Sequence, residues 1–259
     1  MQQYRISGSN EFQVQKKPPR LSFFWFALFA LTVLDDVRGE SVVSVPVRFH
    51  IVTDLNMQKN GLQMRNWVSS YDIEHVVIPE VNRIWRKAGI SFELERILHS
   101  RSLNPTEKAR LLGDVVQSRR DSRGKSDPRR IKKLNKLINQ DNHNPDAINI
   151  YLVPYLGEKS QGNAKPKRRR ILIGQWTDKA SRAESPPEKF QLTEASPFRK
   201  GSLSRTIAHE IGHVLGLKHP DKNTQTTYGL LMGGKKAGYD LTREEIQISR
   251  ERAIDLLGY

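Results

Sequence analysis

Residues 209–219 read His209-Glu210-Ile211-Gly212-His213-Val214-Leu215-Gly216-Leu217-Lys218-His219. On a helix, His209 and His213 are four residues apart and share one face. Two neutral imidazoles in that relation can hold one zinc ion. Glu210 is rotated by about 100° from His209, so it misses the metal and still reaches a water beside it. Gly216 permits the positive φ that ends a helix, and the chain can then double back to bring His219 to the same point. Three histidines and a water make an open tetrahedral site of the catalytic kind. Ile207, Ile211, Val214 and Leu215 bury the opposite side of the helix. A string with these five fixed positions arises by chance on the order of 10⁻⁵ times per chain of this length.

Upstream, Ser44–Val52 alternates Val45, Val47, Phe49 and Ile51 with Pro46, Arg48 and His50, the pattern of a half-buried strand. Tyr71–Ala88 places Ile73, Val76, Val77, Val81, Ile84, Trp85 and Ala88 on one helical face, with Gly89 as the stop. Pro79 lies inside that pattern and predicts a kink or a late start. Ile90, Phe92 and Leu94 alternate as a second strand. Residues 99–146 read as an insertion, with helices opened by Asn104-Pro105 and Asp127-Pro128. Ala147–Val153 reads as a buried strand, and Ile171–Trp176 as another, followed by a loop to about Ser202. The zinc helix starts near Ser202 or Ser204. A last helix starts at the capping box Thr242-x-x-Glu245 and runs to about Leu257.

The 209–219 string resembles the zinc signature of the metzincin clan of metalloendopeptidases. Leu230-Leu231-Met232-Gly233, 13 residues after His219, is similar to the clan's methionine turn. The order of strand, helix, strands, zinc helix, Met-turn and C-terminal helix matches over roughly Val42–Gly258. Leu241-Thr242-x-x-Glu245 is similar to matrixins, and Pro220 to serralysins; Gly234 stands where serralysins and astacins carry a tyrosine. The resemblance implies an α+β fold: a twisted, mixed, mainly parallel sheet with a long backing helix, a zinc-binding active-site helix, a Met-turn and a C-terminal helix. It implies one catalytic zinc held by His209, His213 and His219, Glu210 as general base for peptide-bond hydrolysis, and Met232 as packing beneath the metal. Substrate is expected to lie extended along an edge strand, for which Ile171, Leu172, Ile173 and Gly174 are the candidate.

The chain has 259 residues, 37% hydrophobic and 27% charged, too apolar for a disordered chain and ample for a buried core. It has no cysteine, which excludes disulfides, thiolate metal sites and a matrixin-type cysteine latency switch. Leu21–Leu34 is apolar except for Ser22 and Thr32 and follows Lys16, Lys17 and Arg20. It is too short for a comfortable membrane span and reads as a secretory signal peptide over 1–39, cleaved near Val37-Arg38-Gly39. That predicts a secreted protein, extracellular or periplasmic, with a catalytic domain over 40–259.

The net charge is +15, and it is concentrated. Arg119–Lys136 has nine basic and two acidic residues, and Lys165–Arg170 adds five basic ones. These runs predict a polyanionic or acidic partner surface, although no nucleic-acid motif accompanies them. The alternative to a peptidase is a secreted cationic zinc-containing binding protein. Glu210 argues against it, because a structural zinc site has no need of a base. His50, His75, His99 and His143 are scattered and read as surface or satisfied histidines. Asp141–Asp146 is rich in oxygen ligands that suit calcium but lacks the EF-hand glycine and distal glutamate, so a polar turn is the stronger expectation.

Overall fold

Alternation along the first strand, β1 (Val43–Val52), sends Val45, Val47, Phe49 and Ile51 to one side of a sheet, where all four are buried. β1 runs parallel to β4 (Ile90–Ser100) on one flank and to β5 (Ile148–Val153) on the other. β5 runs parallel to β7 (Arg170–Gly174), and β6 (Gly162–Lys165) pairs antiparallel with β7. The strand order is β4-β1-β5-β7-β6, a mixed and mainly parallel sheet in an α+β fold. β2 (Met57–Lys59) and β3 (Leu62–Met64) form a separate hairpin.

A computed structural model describes residues 41–59, 62–103, 106, 128–156, 161–176, 203–220, 229–233 and 238–258. All belong to Ser41–Tyr259, one of two units of the chain, the other being Met1–Glu40. The expected signal segment, the helix opened by Asn104-Pro105, most of Arg119–Lys136 and the loop from 177 to 202 lie outside the described residues. No helix among the described residues is long and apolar enough to cross a membrane.

Parallel strands require a crossover, and the one between β1 and β4 is a helix in three pieces. Ser69 and Asp72 form a reciprocal capping box at the start of α1 (Ser70–Asp72). A turn of π-helix (Ile73–Val77) follows, and then α2 (Ile78–Trp85). Pro79 has no N–H to give to the carbonyl four residues back, and the widened turn lies directly ahead of it, with Ile78 N–H bonded to Ile73 O. This is the irregularity the sequence predicts. Ile73, Val77, Val81, Ile84 and Trp85 are buried, and Gly89, at φ +61°, ends the helical run. Asn82 exchanges two hydrogen bonds with the backbone of Phe92, tying the helix to β4.

The sheet is covered on both faces. One face packs against α2, α4 (Leu203–Val214) and α5 (Arg243–Leu257), through Phe49, Ile150, Ile173, Ile207 and Ala253 among others. The other packs against α3 (Pro128–Leu137) and the β2–β3 hairpin, where Tyr151, Val153 and Leu172 meet Leu134, Leu137, Met57 and Met64. The half-buried reading of β1 therefore holds only for its first half. Its last four residues are buried, because β1 lies between two strands and the insertion covers its second face.

His50 is on that second face and fully buried. Its Nε2 lies 3.2 Å from Asn149 Oδ1, and its ring stacks on Tyr151 with centroids 4.1 Å apart. Burial pulls the imidazole from 6.5 down to about 4, helped by Arg48 and His143 and opposed by Asn149 and Glu95. Between those values the unfolded chain binds a proton that the folded chain refuses. The stability tied to His50 is therefore present above pH 6.5 and is lost as pH falls toward 4, by about 3 kcal/mol. Denaturant unfolding at pH 7.0 and 4.5 is expected to show His50→Gln losing less stability on acidification than the parent, by about 2–3 kcal/mol. Equal losses in the two proteins would remove His50 as the cause.

Candidate metal centre

α4 carries the first two histidines. Leu203, Ile207, Ala208, Ile211 and Val214 pack into the sheet-side core, which fixes how the helix is rolled. Its end is a Schellman turn: Leu217 N–H bonds back to Gly212 O at 2.9 Å, and Gly216 takes φ +88°. The chain then reverses, as the glycine predicts, and His219 returns to the helix. His219 Nε2 lies 2.9 Å from His209 Nε2 and 3.2 Å from His213 Nε2. The ligand atoms of the three residues all lie within 4.8 Å of one another. Among the described residues this is the one cluster of three or more histidine or acidic side chains able to hold a metal ion. His50, His75, His99 and His143 do not join it.

The Nδ1 atoms of His209 and His213 are committed to backbone carbonyls. His209 Nδ1 lies 2.8 Å from Leu231 O, and His213 Nδ1 lies 2.9 Å from Leu217 O. A carbonyl can only accept, so both Nδ1 atoms donate and both Nε2 atoms carry lone pairs. Burial drives His209 down to about 4, with its neighbours His213, His219 and Arg205 adding to the effect and the Leu231 carbonyl opposing it. Burial, then His213, lowers His219 as well. Lone pairs thus converge where protons are disfavoured. Four ligands at about 2.05 Å in a tetrahedron stand about 3.3 Å apart, close to the spacings seen here. The donor set fits zinc.

The segment that carries Met232 supports the helix from beneath. Met232 is buried, and a Cβ on Gly212 would lie 2.7 Å from its sulfur, so that glycine admits the methionine against α4. Leu231 N–H bonds to Asp240 O and Asp240 N–H to Gly229 O, which closes the segment into a loop. Arg205 spans it. Its Nε donates to Gly238 O at 2.8 Å, and Nη2 reaches Leu231 O at 3.1 Å and Gly233 O at 3.4 Å. The Leu231 carbonyl is therefore shared between Arg205 and His209. Arg205 belongs to no motif legible in the sequence. Its signal was its position, one helical turn before His209 on the same stripe.

Glu210 points toward β6. It is buried, and its carboxylate accepts from the Ala164 backbone N–H. A Cβ at Gly162 would lie 2.6 Å from Glu210 Cδ, so only glycine leaves room for this side chain. Burial raises the Glu210 carboxyl to about 7, against the opposing effect of the Ala164 N–H. The edge strand here is β6. Ile171, Leu172, Ile173 and Gly174 lie in β7, between β5 and β6, which corrects the expectation from sequence. Their fully apolar, two-sided burial is the mark of an interior strand.

Tyr239 is half-buried beside the cations of Arg83 and Lys87, 5.2 and 5.9 Å from its ring centroid. The 141–146 segment is a polar turn. Asn144 Oδ1 accepts from Asp146 N–H, and Asn142 O accepts from Arg48.

No family model matches the chain, and no curated protein sequence does. Among solved structures the chain is similar to metalloproteinase-II from Bacteroides fragilis, with 13% identity and a TM-score of 0.42. The match covers 83% of this chain and 55% of that one, so the chain spans about half its length. It is also similar to a zinc-dependent peptidase from Methanocorpusculum labreanum, with 14% identity, a TM-score of 0.35, and coverage of 80% and 99%.

Because Arg205 holds the carbonyl that orients His209, Arg205→Met is expected to weaken zinc binding by about 10–100-fold. Arg205→Lys should restore only part of it, since one ammonium replaces a planar fork. Competition against a chromophoric chelator measures both. Unchanged affinity in both variants would show that His209 is oriented without the clamp.

Proposed function

We propose that this chain is a secreted zinc-dependent endopeptidase of metzincin type. The observation that carries the reading is the convergence of three Nε2 atoms, two with their Nδ1–H groups committed to carbonyls, beside a buried carboxylate that is not one of the ligands. The 209–219 string and Met232 support the clan, and the 1–39 segment supports export.

His209, His213 and His219 would hold a zinc ion. Zinc bound there would polarise a scissile carbonyl and lower the pKa of a water toward neutrality. Glu210 receives the proton of the attacking water and delivers it to the leaving amine. A carboxyl that burial lifts to about 7 is drawn down again by a neighbouring cation, which keeps it able to accept. Substrate pairs in extended form along β6, the terminal strand beside β7 and Glu210. Met232 and Arg205 act at one remove, by holding the loop under the histidines.

Casein cleavage tests the reading, with zinc content verified in every sample. The parent is expected to cleave, and a chelator to stop it. Glu210→Gln should retain equimolar zinc and lose about 10²–10⁴-fold in kcat/KM. Zinc-loaded parent that leaves casein and a peptide library intact would instead favour the zinc-containing binding protein.

Gly162→Ala isolates the position of the carboxylate. The new methyl group displaces the Glu210 side chain and leaves the three ligands untouched. The expected result is a drop in kcat of about 10²-fold with zinc affinity and KM near the parent values. A fall in zinc affinity instead would mean that Gly162 serves the fold rather than Glu210.

A further inference from the structure

Arg170 opens β7 on the face of the sheet that α3 covers, opposite the zinc helix. It is 3% exposed, and its Nε and Nη1 atoms are buried with no hydrogen-bond partner among the described residues. Among the described residues no carboxylate acts on it. The charged or titratable groups that do are Arg168 and the Tyr151 hydroxyl. A guanidinium taken out of water without a counter-charge is strongly destabilising. The buried arginine therefore has donors and a full charge that the described residues leave without a partner.

The place it faces is a cleft of about 930 Å³ between α3, the 138–141 segment and the β6–β7 hairpin. Lys132, Lys136, Lys165 and Arg168 line it with Arg170, and the one carboxylate in its wall is Asp141. Lys132, Lys136, Lys165 and Arg168 are exposed, so they can follow a ligand, while Arg170 is fixed. A rigid buried fork surrounded by mobile cations matches a multivalent oxyanion, which a guanidinium binds through paired N–H groups.

We propose that this cleft is a binding site for a sulfate or phosphate group, with Arg170 as its buried anchor and Lys132, Lys136, Lys165 and Arg168 as its charged rim. The site does not depend on zinc or on peptidase activity. It lies in the two basic segments of the sequence and gives them a definite point of attachment. The group can be a free anion or can be carried on a sulfated polysaccharide, since both present the same oxygens.

Calorimetric titration of the full-length, zinc-loaded protein with sodium sulfate tests this, with ionic strength held constant by sodium chloride. Saturable binding of one sulfate is expected at or below about millimolar concentration. Arg170→Met should weaken it by about 10²-fold and, because it removes an uncompensated buried charge, should melt no lower than the parent. Lys136→Ser, at an exposed position, provides a folded second variant in which binding falls by about 3–10-fold. Absence of sulfate binding by the parent, or parent-like binding by both variants, would overturn the proposal. A heparin oligosaccharide separates the two sources. Competition with sulfate that Arg170→Met abolishes assigns the group to a polymer, and binding of sulfate without such competition assigns the site to the free anion.

Discussion

Two backbone carbonyls decide the protonation of the metal centre. Leu231 O and Leu217 O accept from His209 Nδ1 and His213 Nδ1, and so leave both Nε2 lone pairs directed at one point. Much of the surrounding structure can be read as the means of placing those carbonyls. Gly216 adopts the positive φ that turns Leu217 back under His213. The Leu231 carbonyl is held by Arg205 and by the loop that Asp240 closes. Met232 occupies the space that Gly212 leaves open. The helix stop is thus more than a terminator. One turn delivers the third histidine and orients the second.

The two faces of the sheet differ in kind. The face toward the zinc helix is an apolar core. The α3 face mixes apolar side chains with a row of buried polar ones: His50, Asn149, Tyr151 and Arg170. Part of this row is satisfied. Asn149 Nδ2 donates to Asn144 O and Ala147 O, its Oδ1 accepts from Asn144 N–H, and Arg48 is paired with Glu95. These bonds pin the 141–147 segment to the sheet. Two members of the row, the Tyr151 hydroxyl and the Arg170 Nε and Nη1, have no hydrogen-bond partner among the described residues. Buried polar groups are nearly always partnered, and of these two only Arg170 carries a full charge, which is what makes its position point to an anion.

The helix α4 was legible in the sequence because its evidence is local. Eleven consecutive residues contain the three converging histidines, the buried Glu210 and the glycine that turns the chain. The strands β1, β4, β5 and β7 and the helices α2, α3 and α5 were legible from periodicity and capping. β6 was not. Gly162-Asn163-Ala164-Lys165 has no β-branched or aromatic residue, and it becomes a strand only through pairing with β7. That omission carried the edge assignment to Ile171–Gly174, whose unbroken apolar run was itself the sign of an interior strand. His50 was read correctly as a satisfied histidine, but its burial depends on an insertion that covers the face from more than 70 residues away. Arg205 and Arg170 look alike in sequence. One binds three carbonyls and the other none, and only the tertiary arrangement separates them.

β6 links the two sites. Its residues alternate between faces: Gly162 and Ala164 face Glu210, while Asn163 and Lys165 line the cationic cleft. From Gly162 to Lys165 the strand advances about 10 Å, close to the distance over which charge is screened at physiological salt, about 8 Å. A peptide paired along β6 would send alternate side chains to the same two faces, some toward the zinc and some toward the cleft. An anion seated on Arg170 would then neutralise part of the field that the second set meets. If both proposals hold, the strand with the weakest sequence signal is the element through which charge on one face of the sheet would bear on a peptide bound at the other.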